Sequence, residues 1–107
     1  MGDGRGEESP WTLSPRQFLA YTLNNHAVEP RRTGDVRQAA RVYRRALRLD
    51  RRCQPCLYSY ANLLAARGRP AGARRLYDRA LRLDPWDNDA RRNREALPPR
   101  ATSRSPW

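Results

Sequence analysis

Cys53-Gln-Pro-Cys56 is the first place in this 107-residue chain where residue type and spacing could do chemistry. Two thiols three apart can share a metal ion, but a tetrahedral zinc site needs two further thiolate or imidazole ligands. His26 is the one other candidate, and it stands beside Asn24 and Asn25 with no carboxylate near it in sequence. A redox pair of this spacing belongs at a helix start next to a strand, in a thioredoxin-like fold. The pair does precede a helix, where thiolates are favoured, yet no strand pattern accompanies it. The expectation is two small cysteines buried at a turn, too few for a disulfide framework. One histidine, two neighbouring cysteines and scattered acids do not assemble a nucleophile, a base and a group to orient it. The chain reads as a non-enzyme with no cofactor and no metal.

The other chemistry-bearing residues are cations. All 22 are arginine, against 11 acids, for a net charge of +11. Without lysine there is no Schiff base, no lysine-bearing phosphate loop and no acetylation switch. Such a charge points to nucleic acid or an anionic surface. Arginine, alanine and proline in excess, with no lysine or isoleucine, are also what a GC-rich coding sequence produces, so the charge alone does not name a partner. Arginine binds phosphate whatever its origin. No run of about 18 apolar residues exists to span a membrane. Met1–Glu8 lacks an apolar signal core, and its acids argue against a transit peptide, so the expected location is intracellular, cytoplasmic or nuclear.

Residues 1–13 are Gly-rich and 98–107 are rich in Pro, Ser and Arg; both are expected to be disordered tails. Between them, 14–97 reads as helical. Tyr43-Arg-Arg-Ala-Leu-Arg-Leu-Asp50 recurs 34 residues later as Tyr77-Asp-Arg-Ala-Leu-Arg-Leu-Asp84, and nine of the twelve positions 39–50 match 73–84. Gly34 meets Gly68 at the same offset. Chance could align Arg and Ala, but not Gly, Tyr, Leu and Asp together. In the second unit, Pro55 opens a helix with Leu57, Tyr60, Ala61 and Leu64 on one stripe. Gly68 ends it, and Pro70 suits the first turn of the next. There Ala73, Leu76, Tyr77, Ala80, Leu81 and Leu83 turn inward until Asp84-Pro85 stops the helix. The first unit places Ala39, Val42, Tyr43, Ala46, Leu47 and Leu49 likewise. The small alanines let helices approach closely.

A 34-residue pair of antiparallel helices ending in Asp-Pro resembles the tetratricopeptide repeat. In the unit Gln54–Asp87, Leu57, Tyr60, Ala61, Leu64, Ala73, Tyr77, Ala80 and Pro85 fill the motif positions. Leu57 stands where a larger aromatic is usual, and Tyr60 where Leu is. The first unit, 14–53, matches through Ala39, Tyr43 and Ala46. Its leading helix, capped by Ser14, should run to about Val28 with Phe18, Leu19, Leu23 and Ala27 packing, followed by a loop over 29–34. Residues 87–97 resemble the polar helix that closes such arrays, with Asp87 as cap. The resemblance implies an all-α fold of about five helices, helix-turn-helix pairs stacked as a short α-solenoid. Two complete units fall below the usual three, which implies marginal or partner-assisted stability. Residues 40–47 and 73–81 also look like second helices of half-a-tetratricopeptide repeats, a family of RNA-processing complexes. The Trp and acid usual in that family's first helix are absent.

The resemblance to the tetratricopeptide repeat implies a concave groove that takes a partner peptide or protein, lined here by Asn24, Tyr58, Asn62, Ala65 and Asn93. An Asn amide can both donate to and accept from an extended backbone. The family's clamp for a C-terminal carboxylate is not expected, because its positions carry Asn24, Val28, Ser59, Asp89 and Asn93, without a cation. Arg41, Arg44, Arg45, Arg48, Arg75, Arg79 and Arg82 should form ridges on the outer, convex face. The alternative function, an RNA-associated assembly subunit, would use those ridges. Asp50, Asp84 and Asp87 are assigned to helix ends.

Overall fold

The computed structural model describes residues 12–98, so most of the two expected tails lies outside the described residues. Six helices follow one another: α1 Pro15–His26, α2 Val28–Thr33, α3 Val36–Leu49, α4 Gln54–Ala66, α5 Pro70–Leu83 and α6 Asn88–Glu95. The described residues form an all-helical fold, and the five longer helices pack as a short solenoid, α1 on α3, α3 on α4, α4 on α5 and α5 on α6.

Local sequence sets the ends of each helix. Ser14 and Gln17 form a reciprocal cap at α1, which satisfies two of the N–H groups a helix start leaves open. Asp35 and Asp87 accept from the backbone at the starts of α3 and α6. Asp50 and Asp84 end α3 and α5, and each carboxylate accepts from the backbone N–H two residues on. Gly34 and Gly68 have φ of 89° and 76°, the left-handed conformation that costs a residue with a Cβ about 1–2 kcal/mol. At both, a backbone bond closes from the residue after the glycine to a carbonyl five residues back, Asp35 to Pro30 and Arg69 to Leu64. The same turn thus recurs at the repeat distance.

Two local expectations are corrected. The segment 29–34 is not a loop, since α2 occupies it. Pro30 is the third residue of α2, where its missing N–H falls among groups without an intrahelical partner in any case. α2 carries Arg31 to the Tyr43 hydroxyl, 3.3 Å away. The face of α1 also differs in part: Ala27 is buried and Leu23 packs as expected, but Ala20 is buried in place of Phe18 and Leu19, which are 63% and 46% exposed. α1 packs on its neighbours through Ala20, Tyr21 and Leu23, which leaves Phe18 and Leu19 largely outside that contact.

α4 occupies the centre. Toward α5 it buries Leu57 and Ala61 against Ala73, Leu76, Tyr77 and Ala80. Toward α3 it buries Leu63 beside Ala39, Tyr43 and Ala27. Cys56 lies with Ala46 and Ala20. Ala39, Ala46, Ala61, Ala73 and Ala80 have no exposed surface, so backbones come together at each crossing. Tyr60 and Leu64, expected in the core, are half-buried. Tyr60 stacks on Tyr43 at 5.6 Å between ring centres. Leu63 and Ala90 are core residues beyond those the repeat pattern indicates.

Cys53 and Cys56 are buried as expected but are not free thiols; they form a disulfide. Cys53 caps α4 and its sulfur accepts the N–H of Cys56. That geometry brings the two Cα atoms to 5.2 Å, within bridging range. Cys56 Sγ rests 3.5 Å from the Ala20 carbonyl oxygen, a packing contact because a bridged sulfur has no hydrogen to donate.

Ala73→Leu is expected to lower stability by about 1–3 kcal/mol through overpacking. Ala71→Leu, on the exposed side of α5, should change it by less than about 0.5 kcal/mol; urea unfolding midpoints compare the two. Thiol titration should find no reactive thiol in the native protein and two after reduction in denaturant.

Candidate functional site

α4, the first helix of the second pair, and the closing helix α6 are joined by side-chain hydrogen bonds. Gln54 Nε2 donates to Asp87 Oδ2 at 2.6 Å, joining the start of α4 to the cap of α6. Arg94 pairs with Asp78, which ties α6 to α5. These contacts bring four polar side chains from three helices to one place.

Asn93 Nδ2 donates to both the Tyr58 hydroxyl and Asn62 Oδ1, each at 3.1 Å. The Tyr77 hydroxyl donates to the same Asn62 oxygen. Tyr58 and Tyr77 meet with ring centres 6.3 Å apart and planes tilted by 57°, a favourable aromatic arrangement. Beside them is a depression of about 320 Å³ lined by Asn62, Ala65, Tyr77, Asn93, Leu97 and Pro98. Its rim is held by Arg74, which donates to the Pro98 carbonyl at 2.6 Å.

Of the groove residues expected from sequence, Tyr58, Asn62, Ala65 and Asn93 therefore stand together. Asn24, on α1, makes no hydrogen bond to this cluster, and its Oδ1 is buried without a hydrogen-bond partner among the described residues. Tyr77 was absent from the expected groove set, where it counted only as core. Its ring is buried, at 1% exposure, but a buried phenol requires a partner for its hydroxyl. An asparagine on the facing helix was the signal that could have found it. Of the arginines assigned to the outer ridges, Arg41, Arg44, Arg45, Arg48, Arg75 and Arg82 are exposed, while Arg79 is half-buried and donates to the Arg51 carbonyl at 3.2 Å; Arg41, Arg44, Arg48, Arg79 and Arg82 line depressions and do not stand as ridges.

Among the described residues no three His, Cys, Asp or Glu side chains come close enough to hold a metal ion, and no helix is long and apolar enough to cross a membrane. A family model for the tetratricopeptide repeat matches residues 25–88, more than half of the chain. No curated protein matches the sequence.

The Tyr77 phenol is held above its ordinary pKa of 10.0, first by burial and then by the neighbouring Tyr58, while the nearby Asn93 amide acts the other way. The folded state thus keeps this proton at pH values where the unfolded chain has lost it. The contribution is intact below about pH 10 and is lost as pH rises through the folded value. Melting temperature should accordingly fall as pH rises above about 10. Tyr77→Phe should start lower at neutral pH, because Asn62 loses a donor worth about 1 kcal/mol, and should show a smaller alkaline fall.

Proposed function

The chain belongs to the tetratricopeptide repeat family, and from that premise we propose that it is an adaptor that takes a partner peptide in extended form across α4 and α6. Repeats of this family generally mediate protein–protein interactions, so the coarse function is protein binding. The finer reading rests on one observation about the polar cluster: what it leaves unused. Asn62 Oδ1 is saturated by Tyr77 and Asn93, whereas Asn62 Nδ2 has no partner among the described residues. Asn93 spends its Nδ2 on Tyr58 and Asn62, and its Oδ1 likewise has no partner there.

One amide donor and one amide acceptor remain, both positioned by hydrogen bonds to rigid neighbours. An extended peptide presents alternating C=O and N–H groups, and this is the pair it needs. Side chains locked by bonds on their other end lose little rotamer entropy when a ligand arrives. The depression beside them, with Ala65 and Leu97 in its wall, offers room for one partner side chain.

Asn62→Asp separates binding from folding. It keeps an oxygen for Tyr77 and Asn93 but replaces the unused donor with an acceptor. Peptides selected from a displayed random library against the full chain should bind this variant about tenfold more weakly, the loss of about 1.4 kcal/mol, with the melting temperature little changed. Selected peptides that bind wild type and variant equally would place recognition elsewhere.

A further inference from the structure

The opposite face of α4 floors a second concave surface. At 100° per residue, Tyr60 and Leu64 point away from Tyr58 and Asn62. α3 and α5 both pack on α4 and leave a valley between them. It contains three depressions of about 560, 580 and 330 Å³. Arg44 and Tyr60 line both the first and the second, and Arg51 and Arg79 both the second and the third. The three are one trough.

Its walls carry ten arginines and, among the described residues, no carboxylate. Ion pairs among the described residues join Arg32 to Glu29, Arg92 to Asp89 and Arg94 to Asp78; none of these arginines lines the trough. Two wall residues are held in place, Arg44 by the Tyr60 hydroxyl and Arg79 by the Arg51 carbonyl, each at 3.2 Å. A guanidinium has five N–H donors, so both keep most of theirs for a ligand. The floor is apolar: Val36 and Leu63 at one end, Leu47 and Leu76 in the middle, Leu57 and Leu83 at the other.

We propose that this trough binds an extended acidic peptide carrying aliphatic side chains at alternate positions. Successive side chains of an extended chain point to opposite sides. One set reaches the leucine floor while the other meets the arginine walls, whose long arms can fold over the ligand. The length agrees: α3 runs for about 21 Å at about 1.5 Å per residue, which is about six residues of extended chain at about 3.3 Å each. Single-stranded RNA fits the charge but not the floor. Such binding relies on aromatic faces on which bases stack. Tyr60 is the one aromatic in the trough; one face of its ring is taken by Tyr43 and its hydroxyl by Arg44. This surface is distinct from the Asn62 groove and does not depend on it.

The probe is a fluorescein-labelled peptide of about six residues alternating acidic and aliphatic side chains, matched to the trough length, with binding to the full chain read by fluorescence polarisation. Arg48→Glu/Arg79→Glu should weaken binding at least tenfold, and Arg48→Gln/Arg79→Gln should weaken it in the same direction if the reversal impairs folding, which melting temperature reports. Arg75→Glu/Arg91→Glu, outside the trough and equal in charge change, should weaken it less than threefold. Replacing the aliphatic residues of the probe by serine should cost at least tenfold. Asn62→Asp should leave this binding unchanged. The proposal is overturned if the probe does not bind, if both arginine pairs act equally, or if the serine probe binds as well as the original. It is equally overturned if a single-stranded RNA of the same charge binds more tightly than the peptide and loses affinity with the trough variants.

Discussion

The close approach of α4 to both of its neighbours governs the rest of the structure. Ala61 and Leu57 bring it against α5, and Leu63 and Cys56 bring it against α3 and α1. A helix buried along two opposite sides keeps only two narrow faces in contact with solvent. On α4 those are the Tyr58–Asn62–Ala65 face and the Tyr60–Leu64 face. Concave surfaces arise on both, because the flanking helices rise above α4 on each side. A larger residue at Ala39, Ala61 or Ala73 would push a neighbour away and change the width of both valleys together, since interiors packed this densely relax only in part.

Much of this was legible from 34-residue spacing, because the physics that sets it is local. Gly34 and Gly68, Tyr43 and Tyr77, and Ala46 and Ala80 occupy equivalent places, and the structure gives each pair the same backbone or burial. The failures lie where a side chain depends on a neighbour distant in sequence. α1 carries apolar residues on more than one face, so its pattern indicated Ala27 but did not choose Ala20 over Phe18 and Leu19. The segment 29–34 looked like a loop because Pro30 breaks a continuous helix, but the same proline is harmless in the first turn of a new one. Of the groove residues, Tyr58, Asn62, Ala65 and Asn93 were placed by repeat position. The bonds that saturate one end of Asn62 were not, since they depend on α4, α5 and α6 converging.

The acids explain the shape of the charge. Asp35 and Asp87 cap helices, Asp50 and Asp84 close the turns after α3 and α5, and Asp78 and Asp89 pair with Arg94 and Arg92. Each of these carboxylates is committed to holding local backbone or α6. Arg37, Arg41, Arg44 and Arg48 of α3 and Arg51 and Arg52 of the α3–α4 turn consequently face the valley with no carboxylate on its walls among the described residues. A composition skewed toward arginine by coding bias would still produce this result, because helix ends draw the few carboxylates first. The origin of the arginines and the electrostatics of the surface they form are therefore separate questions.

An array of two pairs has little interior relative to its surface, and three repeats are the usual requirement for independent stability. Three additions offset that shortage, one at each weak point. α6 covers the open side of α5 with a single buried residue, Ala90, and an otherwise polar face. α2 folds back on α3 and supplies Arg31 to the Tyr43 hydroxyl, a role that Asn62 fills for Tyr77 in the second unit. The Cys53–Cys56 bridge stiffens the turn on which α4 begins, where α1, α3 and α4 meet. A loop this short removes only modest entropy from the unfolded chain, so the effect of the bridge is chiefly on geometry: it fixes the start of the helix that both valleys share.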